Sequence, residues 1–422
     1  MKRLIYILLA LALTTQVYGQ SVSGRFSTTV YSWERNPADS LSETHARVYQ
    51  TAQVTIGNLA SRRVSFHFYG LLSQDLAKSA EDDPIPRIYH TYLQWHARKG
   101  LVQRVRLGRQ RVYSGVAYGT VDGIDLNFRI GESVKIGGFA GILVPFSNEI
   151  EIGNWDDRHA FGFRVSTTKL AGTKVLVSFM QRNRAPAAYS APGRYTGRKI
   201  TFESLEQRLL GLDLHRRFAR KLNLYGRLDY DLEQERVRRG QVELRLAASD
   251  KLTLSGEFIH RAPLIEANSI FTVFEQNTTQ EFGVRGSYRF GQRWFLNGNL
   301  AVQKYDGDET VRFGLGVRGK YGSLGYNFRK GYGGQNNGAY AALNYPVTPK
   351  LGLVATTGLA RYTLFDDDLE THTSLTGSVG LNYRPRKQLA IDILGQGIRN
   401  RFSSSDFRIF VKASYWFFKR SL

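Results

Sequence analysis

The stretch Lys221 to Leu232 reads KLNLYGRLDYDL, and it decides the fold class. Apolar and polar residues alternate along it with a period of two. The apolar set is Leu222, Leu224, Leu228, Tyr230 and Leu232, and the polar set is Lys221, Asn223, Arg227, Asp229 and Asp231. This period places successive side chains on opposite faces of a β-strand. The stretch therefore predicts a strand with one apolar face and one polar face.

The same alternation recurs along most of the chain after Ser21, and the connections between the alternating segments are short and long in turn. Longer connections are expected at 34–45, 76–87, 145–157, 183–204, 262–280, 304–308, 331–336 and 364–370. Short turns at one end and longer loops at the other are typical of a transmembrane barrel. We predict an all-β fold, a single transmembrane antiparallel β-barrel of about 22 strands, with 18 to 22 as the open range.

The N-terminus has the pattern of an export signal. Lys2 and Arg3 precede an apolar core at 4–13, and Val17 and Gly19 occupy the small-residue positions of a cleavage site. A helix needs roughly 20 apolar residues to span a bilayer, so this core is too short to be a membrane anchor. We expect a signal peptide at 1–19 and a barrel at 20–422, exported through the periplasm to the outer membrane.

Aromatic residues gather where strands are expected to end, as at Phe290 and Trp294. Such residues are typical of the two membrane interfaces of a barrel. The last strand ends in Tyr415-Trp416-Phe417-Phe418, which resembles the aromatic C-terminal signal of outer-membrane barrels. That signal usually closes the chain, whereas here residues 419–422 follow it.

Motifs for catalysis or cofactor binding are weak. The run 314–319 matches GxGxxG, but its apolar residues continue a strand pattern instead of opening a helix. His67, His90 and His96 share the inward parity without any cysteine or tight carboxylate cluster beside them. No G-x-S-x-G element is present. We expect no catalytic residues, no cofactor and no metal, with a lipid-acting enzyme as a minor alternative.

Basic residues are concentrated in one region of a chain whose formal net charge is +22. Between Pro84 and Val121 there is no acidic residue but seven basic ones. An arginine facing lipid at mid-membrane depth costs roughly 2–4 kcal/mol, so we expect Arg104 and Arg106 to line the pore. Arg109 and Arg111 either hold lipopolysaccharide phosphates or turn inward through a bulge at Gly108.

Further pore-lining charges follow from strand parity in the second half of the chain. The basic set is Arg227, Arg245, Arg285, Arg289, Arg312 and Arg318, and Asp213, Asp229, Asp231, Glu243, Glu257 and Glu281 lie opposite. These formal charges nearly cancel, so uniform anion selectivity does not follow from them. The longest connection, 183–204, is basic. Arg184, Arg194, Arg198 and Lys199 make it either a constriction loop that folds into the pore or a surface loop that holds lipopolysaccharide.

One local segment resembles a known family. Val105-Arg106-Leu107-Gly108-Arg109-Gln110, with Tyr113 and then Asp122-Gly123, is similar to the R-x-G-R-Q segment of the alginate-export porins. The match covers about 20 residues, and the Arg-Leu pair expected downstream is missing. The resemblance implies a basic conduit that passes an anionic polysaccharide outward.

The preferred function is a porin-like channel for small hydrophilic, anionic solutes. The alternatives are the polysaccharide conduit and a structural sheath around a partner redox protein. We expect outer-membrane lipid and lipopolysaccharide around the barrel and a small or polymeric anionic solute within it. A periplasmic partner or a homo-oligomer stays open. We expect no nucleic-acid partner, because the basic excess belongs to a membrane barrel.

Overall fold

The computed structural model describes most of the chain from Gln20 onward. The described residues are 20–37, 43–59, 61–78, 83–185, 189–190, 199–200, 204–219, 221–269, 271, 277–364 and 370–420. The expected signal peptide at 1–19 lies outside them, as do Arg194 and Arg198. No helix among the described residues is long and apolar enough to cross a bilayer.

The described chain forms strands joined by turns and loops. The first twelve strands are β1 (Ser21–Pro37), β2 (Glu43–Gly57), β3 (Val64–Asp75), β4 (Ile85–His96), β5 (Val102–Ser114), β6 (Ala117–Ile130), β7 (Val134–Leu143), β8 (Arg158–Leu170), β9 (Thr173–Arg184), β10 (Tyr189–Ser190), β11 (Lys199–Ile200) and β12 (Gln207–Phe218). The others are β13 (Leu222–Asp231), β14 (Arg236–Ala247), β15 (Leu252–Arg261), β16 (Thr279–Phe290), β17 (Trp294–Tyr305), β18 (Asp308–Arg318), β19 (Gly322–Gly331), β20 (Gly334–Thr348), β21 (Leu351–Tyr362), β22 (His372–Arg386), β23 (Leu389–Asn400) and β24 (Ser403–Arg420).

Twenty-two of these strands form one closed antiparallel barrel. Each barrel strand pairs with the next barrel strand along the chain, and β24 pairs with β1 from Ser21↔Arg420 to Pro37↔Ser403. The two remaining strands, β10 and β11, pair only with each other in the 183–204 connection. The predicted all-β barrel and its 22 strands are confirmed, and counts of 18 or 20 are excluded.

The outward face of the barrel is an apolar belt. Across β16, β17 and β18, exposed Val284, Leu300 and Phe313 follow one another in register. Exposed Phe290 and Trp294 flank the short turn between β16 and β17. Apolar surface on this scale is costly in water but not against lipid. The chain is therefore a transmembrane β-barrel of the outer-membrane kind, with its longer loops on the external side.

Candidate functional site in the barrel lumen

The inner face carries the polar half of the strand alternation. Strand register places all seven pore-lining candidates on this face: Arg104, Arg106, Arg227, Arg245, Arg285, Arg312 and Arg318. Their sequence neighbours Leu107, Leu228 and Val284 are exposed on the opposite, lipid-facing side. Their part in lining an open pore stays a prediction.

The C-terminal part of β5 and the N-terminal part of β6 are not hydrogen-bonded to the neighbouring strands of the barrel wall. The ladder between β5 and β4 ends at Arg109, and the ladder between β6 and β7 ends at Val121, although β5 and β6 stay paired up to Ser114↔Ala117. Residues 110–119, called the inner hairpin below, have no ladder to either neighbouring strand. The hairpin bends into the lumen at the level where its wall pairing stops.

The tip of the inner hairpin packs against the lumen side of β9, β12 and β13. The Val116 amide donates to Ser178 Oγ of β9 at 3.1 Å, and Arg227 Nη2 of β13 donates to the Gly115 carbonyl at 3.2 Å. A Cβ on Gly211 of β12 would lie 2.4 Å from Val116 Cγ1. The small residues at these wall positions therefore let the hairpin tip approach the wall backbone closely.

This contact buries an apolar cluster inside the barrel. Its members are Val112, Val116, Ala117, Val121, Phe139, Leu143, Ala160, Met180 and Leu209, with Tyr118 packed against them. All nine are buried, although they lie on the lumen side of a membrane barrel. The burial of this surface stabilises the hairpin's inward position, at about 25 cal/mol per Å² removed from water. Sequence reasoning missed this element. The available signal was a set of apolar residues at inward parity on β7, β9 and β12.

Arg109 links the hairpin base to three other segments. Its guanidinium forms a bidentate pair with Asp122 of β6 at 2.8 and 2.9 Å. The same group donates to the carbonyls of Ile88, Glu149 and Glu151 at 2.7–3.2 Å. The preceding Gly108 has φ +124°, a conformation that favours glycine. Arg109 is buried, so of the two expected roles the turn into the protein is the one observed.

The 145–152 segment closes the wall where the hairpin has left it. The Ile88 amide of β4 donates to the Asn148 carbonyl at 2.9 Å, and Arg109 holds the next carbonyls of the same segment. Ile150 and Ile152 are exposed. Arg109 thus stabilises both the inward hairpin and the strap that replaces it in the wall.

In four ion pairs on the inner face the arginine is more exposed than the acid, whereas in the Arg109–Asp122 pair at the hairpin base the arginine is the more buried partner. The side-chain exposures are 56% for Arg285 against 9% for Glu257, 39% for Arg312 against 22% for Glu281, 31% for Arg104 against 5% for Asp125, and 18% for Arg227 against 8% for Asp229. The formal charges nearly cancel, as the sequence indicated, but the water in the lumen meets mainly guanidinium groups.

The 183–204 connection is described only in part. Arg184 ends β9, lies 3.7 Å from the Phe146 ring centroid and accepts a bond at its carbonyl from Asn268 Nδ2. Lys199 contributes backbone pairing to β11. Nearby Glu206 is buried, and its Oε1 lies 2.7 Å from Arg182 Nη2. Burial raises the pKa of the Glu206 carboxyl group, although the charges of Arg182 and Arg184 act to lower it. The constriction role of Arg184, Arg194, Arg198 and Lys199 stays a prediction.

His67 lies in β3, and the GxGxxG run begins in β18. His67 stacks on Tyr92 with centroids 4.8 Å apart and contacts Ser65 Oγ at 2.9 Å. The run at 314–319 begins in β18 rather than at a helix N-terminus. Within the described part of the chain, no three His, Cys, Asp or Glu side chains group closely enough to hold a metal ion.

Comparisons with known proteins found likenesses of low sequence identity among solved structures. No protein family matches the sequence, and no curated protein does. Among solved structures, the translocation pore of the P pilus usher PapC is 9% identical, with 94% of this chain and 99% of that chain covered and a TM-score of 0.49. OccAB4 of Acinetobacter baumannii is 10% identical, with coverage of 96% and 99% and a TM-score of 0.43. OpdK of Pseudomonas aeruginosa is 12% identical, with coverage of 94% and 99% and a TM-score of 0.44.

Proposed function

We propose that the protein is an outer-membrane channel for the passive passage of small hydrophilic anions. The observation that carries this proposal is the more exposed position of arginine in four inner-face ion pairs, those of Arg104, Arg227, Arg285 and Arg312. A solute in the lumen lies nearer to the guanidinium of Arg285 than to the carboxylate of Glu257 behind it. Because Coulomb energy falls with distance, the nearer charge dominates the local potential. The wall therefore attracts anions although its formal charges nearly cancel.

The shape of the lumen supports a narrowed channel. A barrel of 22 strands is wide, and such barrels commonly contain an element that fills part of the lumen. Here the inner hairpin covers the wall of β7 to β13. The inner-face arginines of β16 and β18 remain exposed. A sheath around a folded partner needs the whole lumen, so the hairpin favours the channel over the sheath.

The polysaccharide conduit gains no support from the segment that suggested it. Arg109 and Asp122 of the R-x-G-R-Q resemblance pair with each other, and Gln110 donates to the Gly123 carbonyl at 3.2 Å. These residues hold the hairpin base. We retain the 183–204 loop as a proposed second constriction, and lipid with lipopolysaccharide as the proposed surroundings of the belt.

Reversal potentials in planar bilayers under a KCl gradient test the proposal. We expect the purified protein to conduct with chloride preference. The double variant R285Q/R312Q leaves Glu257 and Glu281 unpaired and should lower the chloride-to-potassium permeability ratio roughly tenfold. This estimate takes about 0.7 kcal/mol per unit charge at about 6 Å in water, for two charges.

Matched variants distinguish the effect of charges on the lumen wall from the effect of charges at the end of the barrel. E257Q/E281Q removes the two acids and should raise the chloride preference. R62Q/R63Q removes two charges from the turn between β2 and β3, outside the wall, and should change the ratio much less. A protein that does not conduct, or that prefers potassium, contradicts the proposed function.

A further inference from the structure

Arg106 is an arginine of the inner wall without an acidic partner. Its Nε donates to Gln94 Oε1 of β4 at 2.9 Å, and its guanidinium lies over the Tyr92 ring, 5.2 Å from the centroid. Among the residues that the structure describes, none accepts a hydrogen bond from its two terminal amino groups. The side chain is half-buried. A partly buried charge without a counter-charge is unusual in proteins.

The one carboxylate near Arg106 is already occupied. Asp125 Oδ2 accepts from Arg104 Nη2 at 2.8 Å, and Asp125 Oδ1 lies 3.4 Å from Arg164 Nη2. Asn127 also donates to Oδ2, at 3.1 Å. Three guanidinium groups thus surround one carboxylate, and the bonds of that carboxylate go to the other two. Arg106 is left with the uncompensated charge.

The orientation of Arg106 is fixed by neutral groups. Gln94 holds the Nε end, and the Tyr92 ring, itself stacked on His67, supports the guanidinium plane. A fixed arginine loses little conformational entropy when an oxyanion binds to its two terminal nitrogens. The residue also lies two positions before Gly108, where β5 bends into the inner hairpin. A solute that has passed the hairpin therefore reaches this group on the same strand.

We propose that Arg106 is a binding site for the oxyanion group, carboxylate or phosphate, of the permeating solute. Two parallel N–H···O bonds from its terminal nitrogens would bind such a group. The inference rests on the proposed channel function and names the chemistry its lumen selects. Arg104 differs because its own terminal nitrogen is bound to Asp125. An oxyanion would have to displace a carboxylate there, whereas at Arg106 it displaces only water.

Block of the single-channel chloride current tests this site. Sodium acetate and sodium phosphate, added separately, should each reduce the current in a saturable way if both oxyanions bind. Block by only one of them assigns the site to that chemistry. R106K keeps the charge but loses the planar fork. We expect its half-blocking concentration to rise about tenfold, the effect of losing roughly one charge-assisted hydrogen bond.

Control variants distinguish a site from a general field. R62K, in the turn between β2 and β3, should leave the half-blocking concentration unchanged, and Q94L, which removes the Nε acceptor, should raise it with the charge intact. Folding of R106K is checked by heat-dependent gel migration. A chloride-selective channel that shows no saturable block, or equal block in wild type and R106K, overturns the site but leaves the channel. Absence of chloride preference contradicts the channel itself.

Discussion

The inner wall of this barrel has two unlike sectors. Along β7, β9 and β12, inward side chains such as Met180 and Leu209 are buried under the inner hairpin. Along β15 to β18, inward side chains such as Arg285 and Arg312 stand exposed in the lumen. Both sectors belong to one continuous sheet with the same alternation.

The difference teaches that inward parity does not by itself mean contact with solute. The first sector is the surface on which the inner hairpin packs, called the seat, so its residues are small or apolar where the hairpin touches. The second sector, called the bare sector, has no such cover among the described residues, and its charges face the lumen. Variants that displace the inner hairpin should therefore change the conductance, whereas matched variants in the second sector should not.

Loss of Arg109 should have the largest effect. R109Q removes the ion pair with Asp122 and the bonds to three backbone carbonyls. Breaking a buried pair costs about 3–5 kcal/mol locally, so we expect the hairpin to leave its seat. Single-channel conductance should rise roughly twofold, because a barrel of this strand number is wide once nothing narrows it.

A disulfide provides the control for R109Q in this cysteine-free chain. The pair V116C/G211C joins the hairpin tip to its seat, where a Cβ on residue 211 lies 2.4 Å from Val116 Cγ1. Oxidation of the triple variant should restore the lower conductance, and reduction should release it. If the oxidised and reduced forms conduct equally, the hairpin does not limit the pore.

Filling the seat should have an intermediate effect. G211V adds a side chain where the hairpin tip already lies, and overpacking of this kind typically costs about 1–3 kcal/mol. We expect the tip to move and the conductance to rise less than in R109Q. The matched variant G283V lies on the inner face of the bare sector, where the nearest atom to a new Cβ is 3.8 Å away. It should conduct like the wild type, and equal behaviour of the two variants would contradict the two-sector description.

Deletion of 187–198 should have the smallest effect of the three. The deletion removes Arg194 and Arg198. If the 183–204 loop is the proposed second constriction, the variant should show a modest rise in conductance and a weaker chloride preference. Deletion of Asp366 to Asp368 shortens an acidic outer loop and serves as the comparison. Unchanged conductance and selectivity after removal of 187–198 would make the segment a surface loop.

Much of the architecture was predictable because it depends on local rules. Alternation over 221–232 predicted a strand, and β12 and β13 pair from Leu209↔Asp231 to Phe218↔Leu222. The high cost of arginine in lipid placed Arg104 and Arg106 on the inner face. Both arguments need only the strand period and the two solvents on either side of the wall.

The sequence did not predict the structure of the region around 102–120, where the alternation of apolar and polar residues is weak. Val112 and Val121 have inward parity and Val116 lies in the turn between β5 and β6, positions at which apolar side chains are unfavourable in a water-filled lumen. Their partners are Met180 and Leu209, at least 59 residues further along the chain. No local rule connects these positions. The Arg109–Asp122 pair was likewise visible as two residues but not as a contact.

The sequence by itself determined the barrel and its approximate strand number, and it predicted the face of most charges, because a period of two and the cost of a lipid-exposed charge act on every strand separately. Only the tertiary structure decided which inward residues are covered, which arginine lacks an acid and which end of each ion pair is exposed. These properties depend on the close approach of strands distant in sequence, where the carboxylate of Asp125 is shared and the seat at Gly211 is filled.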